Sequence, residues 1–294
     1  SPVPMMQLIK ELKKNPQKIA MPVTPCQLAA FLAATQKIKK IRECLVLAIG
    51  LFCGQVKDYE SVSQIAATLN IKHPGEAKFL GWRCGRYPGS ARFELHNGTQ
   101  KEKPLYPWWD IAVPHYALHR CFLCPDGGNW LADMTLGDIH GGGNDETVIV
   151  CRTARGEQML RDAEQAGAIK LADMSPEQVD SCVIKGITGS KLKPALARIK
   201  WRQKKGKPVP EYDYQVNDIL KESPKLINFL NIFKYRLIMW SRQGWKRKFL
   251  ERHPHLMEKT GHFLYKFPSS VPGWQKLLLL RKTFKRLLKK NTKR

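Results

Sequence analysis

Two cysteines are spaced as ligands of a single metal centre. Cys121 and Cys124 lie in the sequence RCFLCPDGG, and two thiolates three positions apart on a loop can bind one zinc ion or one iron–sulfur cluster. A redox-active pair of thiols has the same spacing. The CxxC pair alone therefore leaves structural zinc, an iron–sulfur cluster and redox thiols open.

Two further cysteines follow segments that we expect to be strands. Cys26 comes after KIAMPVT (18–24), and Cys53 ends the apolar run CLVLAIGLFC (44–53). The carboxyl ends of parallel strands share one edge of the sheet, where open α/β folds place their ligands. Cys26, Cys53, Cys121 and Cys124 are therefore our candidate ligands of a [4Fe–4S] cluster.

The chain has eight cysteines, and its first residues do not have the layout of a secretory signal peptide. Free thiols are therefore expected rather than a disulfide framework. We expect Cys44, Cys151 and Cys182 to be small buried side chains. Cys84 differs because arginines flank it in WRCGR and would favour a reactive thiolate.

Hydrophobic periodicity predicts alternating helices and strands in the first half, which implies βαβ units around a central sheet. Asn97-Gly98 predicts a β-hairpin. The expected fold is α/β: a mixed central sheet with flanking helices, a small β-hairpin insertion and a helical, basic C-terminal extension. Helices are predicted over 5–14, 27–37, 58–69 and 154–166, and strands over 18–24, 44–53 and 147–152.

Positive charge is concentrated near the C-terminus. The net charge is +25, and residues 201–294 contain 24 Lys plus Arg against 6 Asp plus Glu. We therefore expect a core over 1–214 and a basic helical extension over 215–294 that attaches the protein to a partner or a membrane. Such a charge favours anionic partners.

Two segments of this extension combine apolar and basic residues. Residues 226–240 contain Lys234 and Arg236, which makes them unsuited to crossing a membrane, and residues 274–290 predict a basic amphipathic helix. No stretch approaches the roughly 20 apolar residues needed to span a bilayer. The expected location is cytoplasmic, either peripheral to a membrane or in a larger complex.

The ordered motifs resemble a known family. TPCQLAA, GLFCGQ, CFLCPDGGNWLADMTLGDIHGG and TVIVCRTARGEQML are together similar to the beta subunits of coenzyme F420 hydrogenases and dehydrogenases. The resemblance runs from about residue 18 to about residue 214. The family also includes 7-hydroxymethyl chlorophyll a reductase and the beta subunit of formate dehydrogenase.

The resemblance implies an oxidoreductase that passes electrons between a [4Fe–4S] cluster, FAD and a soluble acceptor such as coenzyme F420. Its electron donor would be a partner subunit or a ferredoxin that carries iron–sulfur clusters. The four candidate cysteines match the family's cysteines. The residues that the resemblance places at the flavin are Thr24, Gly127, Asp133, Gly137, Asp138, Arg152, Thr153 and Arg155.

Two other functions remain open at this point. The first is a ferredoxin-dependent reductase of chlorophyll-type tetrapyrroles, because the same family contains such enzymes. The second is a basic nucleic-acid-binding protein with zinc at Cys121 and Cys124. It leaves the other motifs unexplained, so nucleic acid is not the expected partner. The sequence also begins where the family's pattern is already under way, so we expect it to lack the family's N-terminal segment.

Overall fold

The computed structural model describes residues 5–86, 89–105, 115–138, 146–181, 183, 190–213, 216–221, 223–253, 256 and 259. The strands are Ile19–Val23 (β1), Leu45–Leu51 (β2), Ala77–Cys84 (β3), Ser90–Leu95 (β4), Gln100–Pro104 (β5), Met134–Asp138 (β6) and Thr147–Cys151 (β7). The helices are Met5–Lys14 (α1), Pro25–Thr35 (α2), Lys39–Arg42 (α3), Glu60–Thr68 (α4), Ala154–Gln165 (α5), Pro176–Gln178 (α6), Ser190–Gln203 (α7), Val216–Lys221 (α8), Lys225–Ser241 (α9) and Gly244–Arg252 (α10). Short 3-10 turns cover Pro74–Glu76 and His119–Leu123.

The chain divides into two compact units, and each of them combines two separate segments. The first unit contains Ser1–Gly54 and Cys124–Leu192, and the second contains Gln55–Leu123 and Lys193–Arg294. A functional boundary between core and extension near residue 214 stays a prediction.

The first unit is built on a mixed sheet with the strand order β1-β2-β6-β7. β2 pairs in parallel with β1 and with β6, whereas β7 pairs with β6 in the antiparallel direction. The run 45–51 supplies the central strand because nearly all of its side chains are apolar, as a strand covered on both faces requires. The carboxyl ends of β1, β2 and β6 consequently lie at one edge of the sheet.

An apolar core packs α1, α2 and α3 of the first unit against this sheet. Leu28 and Phe31 of α2 are fully buried, and Leu12 of α1 is nearly so. Burying a side chain of this size stabilises the fold by about 1.5–3 kcal/mol. The same cluster contains Ile9, Met21, Val23, Ile41, Cys44, Ala48 and Ala132.

The second unit contains a separate antiparallel sheet with the order β3-β4-β5. β4 and β5 form the hairpin predicted at Asn97-Gly98, where Gly98 has a φ of +82° and the Asn97 side chain accepts a hydrogen bond from the Thr99 N–H. β3 extends this hairpin to three strands, which the sequence analysis did not predict. Ala91 and Phe93 of β4 pack in one cluster with Ile65 of α4 and Leu250 of α10.

The predicted α/β class with a mixed sheet is confirmed, as are the helices and strands expected in residues 5–166. Element ends differ by a few residues, since strand ladders and helix caps set them rather than composition. No described helix has the length and apolar character needed to cross a membrane. The amphipathic helix predicted over 274–290 lies outside the described residues.

Candidate functional site

Cys26 and Cys53 both follow strands that end at the same edge of the first unit's sheet. Cys26 lies in the first turn of α2, three residues after β1 ends, and Thr24 precedes that helix as its N-cap residue. The Thr24 hydroxyl lies 3.6 Å from the Cys26 Sγ and donates to the Gln27 side chain. Cys53 lies two residues beyond β2. Both thiols are partly exposed and can therefore reach a bound group.

The segment 124–131 is anchored to this same edge by four hydrogen bonds. The Gly127 carbonyl accepts a hydrogen bond from the Cys53 N–H at 3.1 Å. The Asn129 side chain donates to the Val23 carbonyl at 2.8 Å, at the end of β1. The Lys191 ammonium donates to the carbonyls of Cys53 and Asp126. Cys124 therefore lies on a loop that is tied to the ends of both strands.

The predicted cluster ligands are not all in one unit. Cys26, Cys53 and Cys124 belong to the first unit, whereas Cys121 belongs to the second. The Cys121 Sγ accepts a hydrogen bond from the Val56 N–H at 3.5 Å, and the Cys124 thiol donates to the Asp126 carbonyl. Within the described residues, no group of three or more His, Cys, Asp or Glu side chains is arranged to hold a metal ion.

Asp133 is the centre of a hydrogen-bonded network between the sheet and α5. Its carboxylate is almost fully buried, and it accepts bonds from the Ala48 N–H and the Thr153 hydroxyl, each at 2.8 Å. Arg155 donates to both carboxylate oxygens at 2.8 Å. Burial favours a higher pKa for Asp133, but the Ala48 amide, Arg155 and Thr153 outweigh it and lower that pKa. Asp133 and Arg155 therefore satisfy one another within this chain.

Arg152 is held differently, because its described partners are neutral groups. Its guanidinium donates to the Gly128 carbonyl and the Thr135 hydroxyl and lies 4.8 Å from the Trp130 ring centroid. Burial lowers the pKa of Arg152, although Asp126 acts in the opposite direction. Its Nε is buried without a hydrogen-bond partner, and so is the side-chain oxygen of Asn129. These two buried polar atoms without a hydrogen-bond partner thus belong to Arg152, which donates to the Gly128 carbonyl, and to Asn129, the next residue in the chain.

Several glycines of this region permit close packing. A Cβ on Gly50 would lie 2.8 Å from atoms of Ala132, Asn129 and Thr135. A Cβ on Gly137 would lie 2.3 Å from the Phe52 ring. Gly137, which the resemblance places at the flavin, therefore packs against the Phe52 side chain. A Cβ on Gly156 would come within 2.8 Å of the Asp133 carbonyl, which allows α5 to approach β6.

The remaining sequence predictions have mixed outcomes. Asp138 ends β6 opposite Thr147 and is exposed. Cys44 is buried in the core as expected. The expectation that Cys151 is buried is wrong: it is exposed, because it is the last residue of β7, the border strand of the sheet in the described part of the chain. Cys84 is partly exposed. Cys182 lies outside the described residues.

Two residues that position this region were missed by the sequence analysis. Asn129 is fully buried with a φ of +55°, a conformation that asparagine tolerates better than most residues. Its position after two glycines was an available signal for such a turn. Lys191 gave no signal, because in a basic chain it looks like any solvated lysine.

Comparison with known proteins places these features in a family. Residues 16–177, more than half of the chain, match the family model for the C terminus of the beta subunit of coenzyme F420 hydrogenase/dehydrogenase. No curated protein sequence matches the chain. Among solved structures, it is similar to a chain of the F420-reducing [NiFe] hydrogenase complex from Methanosarcina barkeri, studied as a xenon derivative. That similarity has a TM-score of 0.51 and 19% identity over 70% of this chain and 69% of that chain, which supports the fold alone.

Proposed function

Because this chain belongs to the coenzyme F420 hydrogenase/dehydrogenase beta-subunit family, we propose that it is an FAD- and iron–sulfur-dependent oxidoreductase that exchanges electrons with coenzyme F420 or a similar soluble acceptor. Its coarser class, an oxidoreductase of the beta-subunit type, follows from the family. The cofactors, the acceptor and the donor, which would be an iron–sulfur partner subunit or ferredoxin, are the proposed part.

The observation that carries the proposal is the common sheet edge of three predicted ligands. Cys26 and Cys53 follow neighbouring parallel strands, and hydrogen bonds from the Cys53 N–H and Asn129 hold the loop of Cys124 at those same strand ends. Thiolates are the donors that iron–sulfur clusters require. In this proposal Cys26, Cys53, Cys121 and Cys124 would hold a [4Fe–4S] cluster.

The flavin is proposed to lie beside the loop that contains Gly127 and Trp130. The unsatisfied Arg152 Nε favours a polar ligand there, and Trp130, 45% exposed, offers a flat apolar face. Arg155 and Asp133 fit this role less directly because each already satisfies the other. When bound, FAD would supply the exchange between one-electron and two-electron chemistry. The chain's own part would be to orient it with Arg152 and to exclude water with Trp130.

Flavin retention tests this assignment. We expect Arg152→Ala to lower the FAD released from the purified, intact protein by acid, while the iron content stays unchanged. Arg161→Ala is the matched control, because Arg161 lies on α5 and pairs at its surface with Glu157 and Glu164. Equal flavin content in wild type and Arg152→Ala would remove Arg152 from the proposed site. Absence of flavin from gently purified wild type would refute the proposed cofactor.

A further inference from the structure

The last two described helices of the second unit, α9 and α10, expose several aromatic side chains. On α9, Phe229 and Trp240 are 61% and 58% exposed, and Phe233 stacks on Phe229 with ring centroids 6.3 Å apart. These three positions recur at helical spacing and therefore share one face of α9. Leu230, Tyr235 and Ile238 are buried, so they occupy other faces of the helix.

The next helix continues this pattern. Trp245 is 72% exposed and Phe249, four residues later, is 44% exposed. Lys248 and Arg252 lie three and seven residues after Trp245 and so share its side of α10. The Lys246 ammonium lies 4.1 Å from the centroid of the Trp240 ring, which connects the exposed residues of both helices. We call Phe229, Phe233, Trp240, Trp245, Lys246, Lys248, Phe249 and Arg252 the aromatic–basic face.

The charge of this segment has one sign. Residues 225–252 contain eight Lys and Arg and a single acidic residue, Glu251. Glu251 pairs with Arg247, which also pairs with Asp58 and Glu60. The only carboxylate of the segment is thus engaged with Arg247, and the aromatic–basic face contains three cationic side chains and no acidic one.

We propose that the aromatic–basic face binds the anionic surface of a lipid membrane, with its rings at the headgroup level and its lysines and arginines on the lipid phosphates. Large exposed apolar patches mark interaction surfaces. Tryptophan beside Lys and Arg is typical of residues that lie at a membrane–water boundary. Aromatic residues and arginine are also enriched at protein–protein interfaces, but lysine is depleted from them, and two of the three cations of this face are lysines. The proposal concerns attachment and is independent of the redox chemistry.

Vesicle flotation with the full chain tests the proposal. We expect binding to vesicles that contain phosphatidylglycerol, weak binding to phosphatidylcholine alone, and weaker binding at high salt because mobile ions screen the charges. Lys248→Gln should weaken binding about fivefold, the usual effect of one basic residue near an anionic membrane surface. Trp245→Ala should weaken binding about tenfold, since it removes a large apolar side chain from the contact.

The chain offers a closely matched control on β3 of the same unit. Lys78 and Phe79 are also an exposed lysine next to an exposed aromatic residue, and Phe79 is 48% exposed. Lys78→Gln and Phe79→Ala should bind vesicles as wild type does. The proposal would be overturned if the two control variants lost as much vesicle binding as Lys248→Gln and Trp245→Ala. It would be overturned as well if vesicle binding did not depend on phosphatidylglycerol. It would also be overturned if Trp245→Ala bound vesicles normally but lost a partner subunit, since the face would then be a protein interface.

Discussion

Removing the Asp133 carboxylate should expose how strongly it joins the sheet to α5. Asp133→Ala leaves the buried Ala48 N–H without its acceptor, which costs about 1–3 kcal/mol. The lost bond from the Thr153 hydroxyl adds about 1 kcal/mol. The ion pair adds at most about 1 kcal/mol, because the Arg155 side chain is 56% exposed and such pairs are screened by solvent. We therefore expect a total loss of about 3 kcal/mol.

Chemical denaturation monitored by circular dichroism measures this loss, and hydrogen exchange of peptides from β2 shows whether it is local. Arg155→Ala is the matched control and should cost less than about 1 kcal/mol, since it leaves the carboxylate bonded to Ala48. A larger effect for Arg155→Ala than for Asp133→Ala would refute this reasoning. So would unchanged exchange of the β2 amides in Asp133→Ala.

Acid should reduce the difference between wild type and Asp133→Ala. The pKa of Asp133 in the folded chain lies below its ordinary value of 3.8. The ionised carboxylate therefore contributes its full stability above pH 3.8 and loses it as the pH falls through the lower folded value. The stability difference between the two proteins should accordingly be constant near neutrality and shrink below pH 3.8.

Two further perturbations follow from the described contacts. Gly50→Ala should destabilise the first unit by about 1–3 kcal/mol, because the new methyl group would overpack against Ala132 and Asn129. Gly54→Ala is the control: its Cβ would meet nothing within 4 Å, so the thermal midpoint should be almost unchanged. Burial, with a smaller effect of Arg242, lowers the pKa of His115 from 6.5 to about 4. As the pH drops from 6.5 towards 4, the unfolded chain therefore binds this proton before the folded chain does. The free energy of unfolding of wild type should fall by about 3 kcal/mol over that range. His115→Gln should flatten this slope in denaturation midpoints measured across that pH range, and an unchanged slope would contradict the assignment.

Local signals in the sequence were sufficient for much of the fold. The apolar run 44–53 favoured a buried strand, and Asn97-Gly98 favoured the hairpin, because each signal lies in neighbouring residues of the chain. β3 was missed because apolar and polar side chains do not alternate regularly along it. Its place in the sheet depends on pairing with β4. Cys151 was misjudged because its exposure depends on which strand borders the sheet, and strand order is a property of the whole unit.

The candidate site shows the same division between local and distant information. Strand-end positions were enough to nominate Cys26 and Cys53. The bond between Asp133 and Arg155 joins residues 22 positions apart in sequence, and Lys191 reaches Cys53 across 138 positions. Neither contact has a local signature, so the sequence suggested Arg155 as a cofactor ligand without indicating that a carboxylate already holds it.

Iron and acid-labile sulfide per chain, measured after anaerobic purification, test the central claim most directly. Wild type should contain about four irons and about four sulfides, the content of one cubane cluster. Cys53→Ala and Cys121→Ala should lose the iron and the sulfide. Cys151→Ala replaces an exposed cysteine of β7, so it should retain both, together with the visible absorbance that dithionite bleaches. Zinc in place of iron, or wild-type iron content in Cys53→Ala, would contradict the proposed iron–sulfur centre.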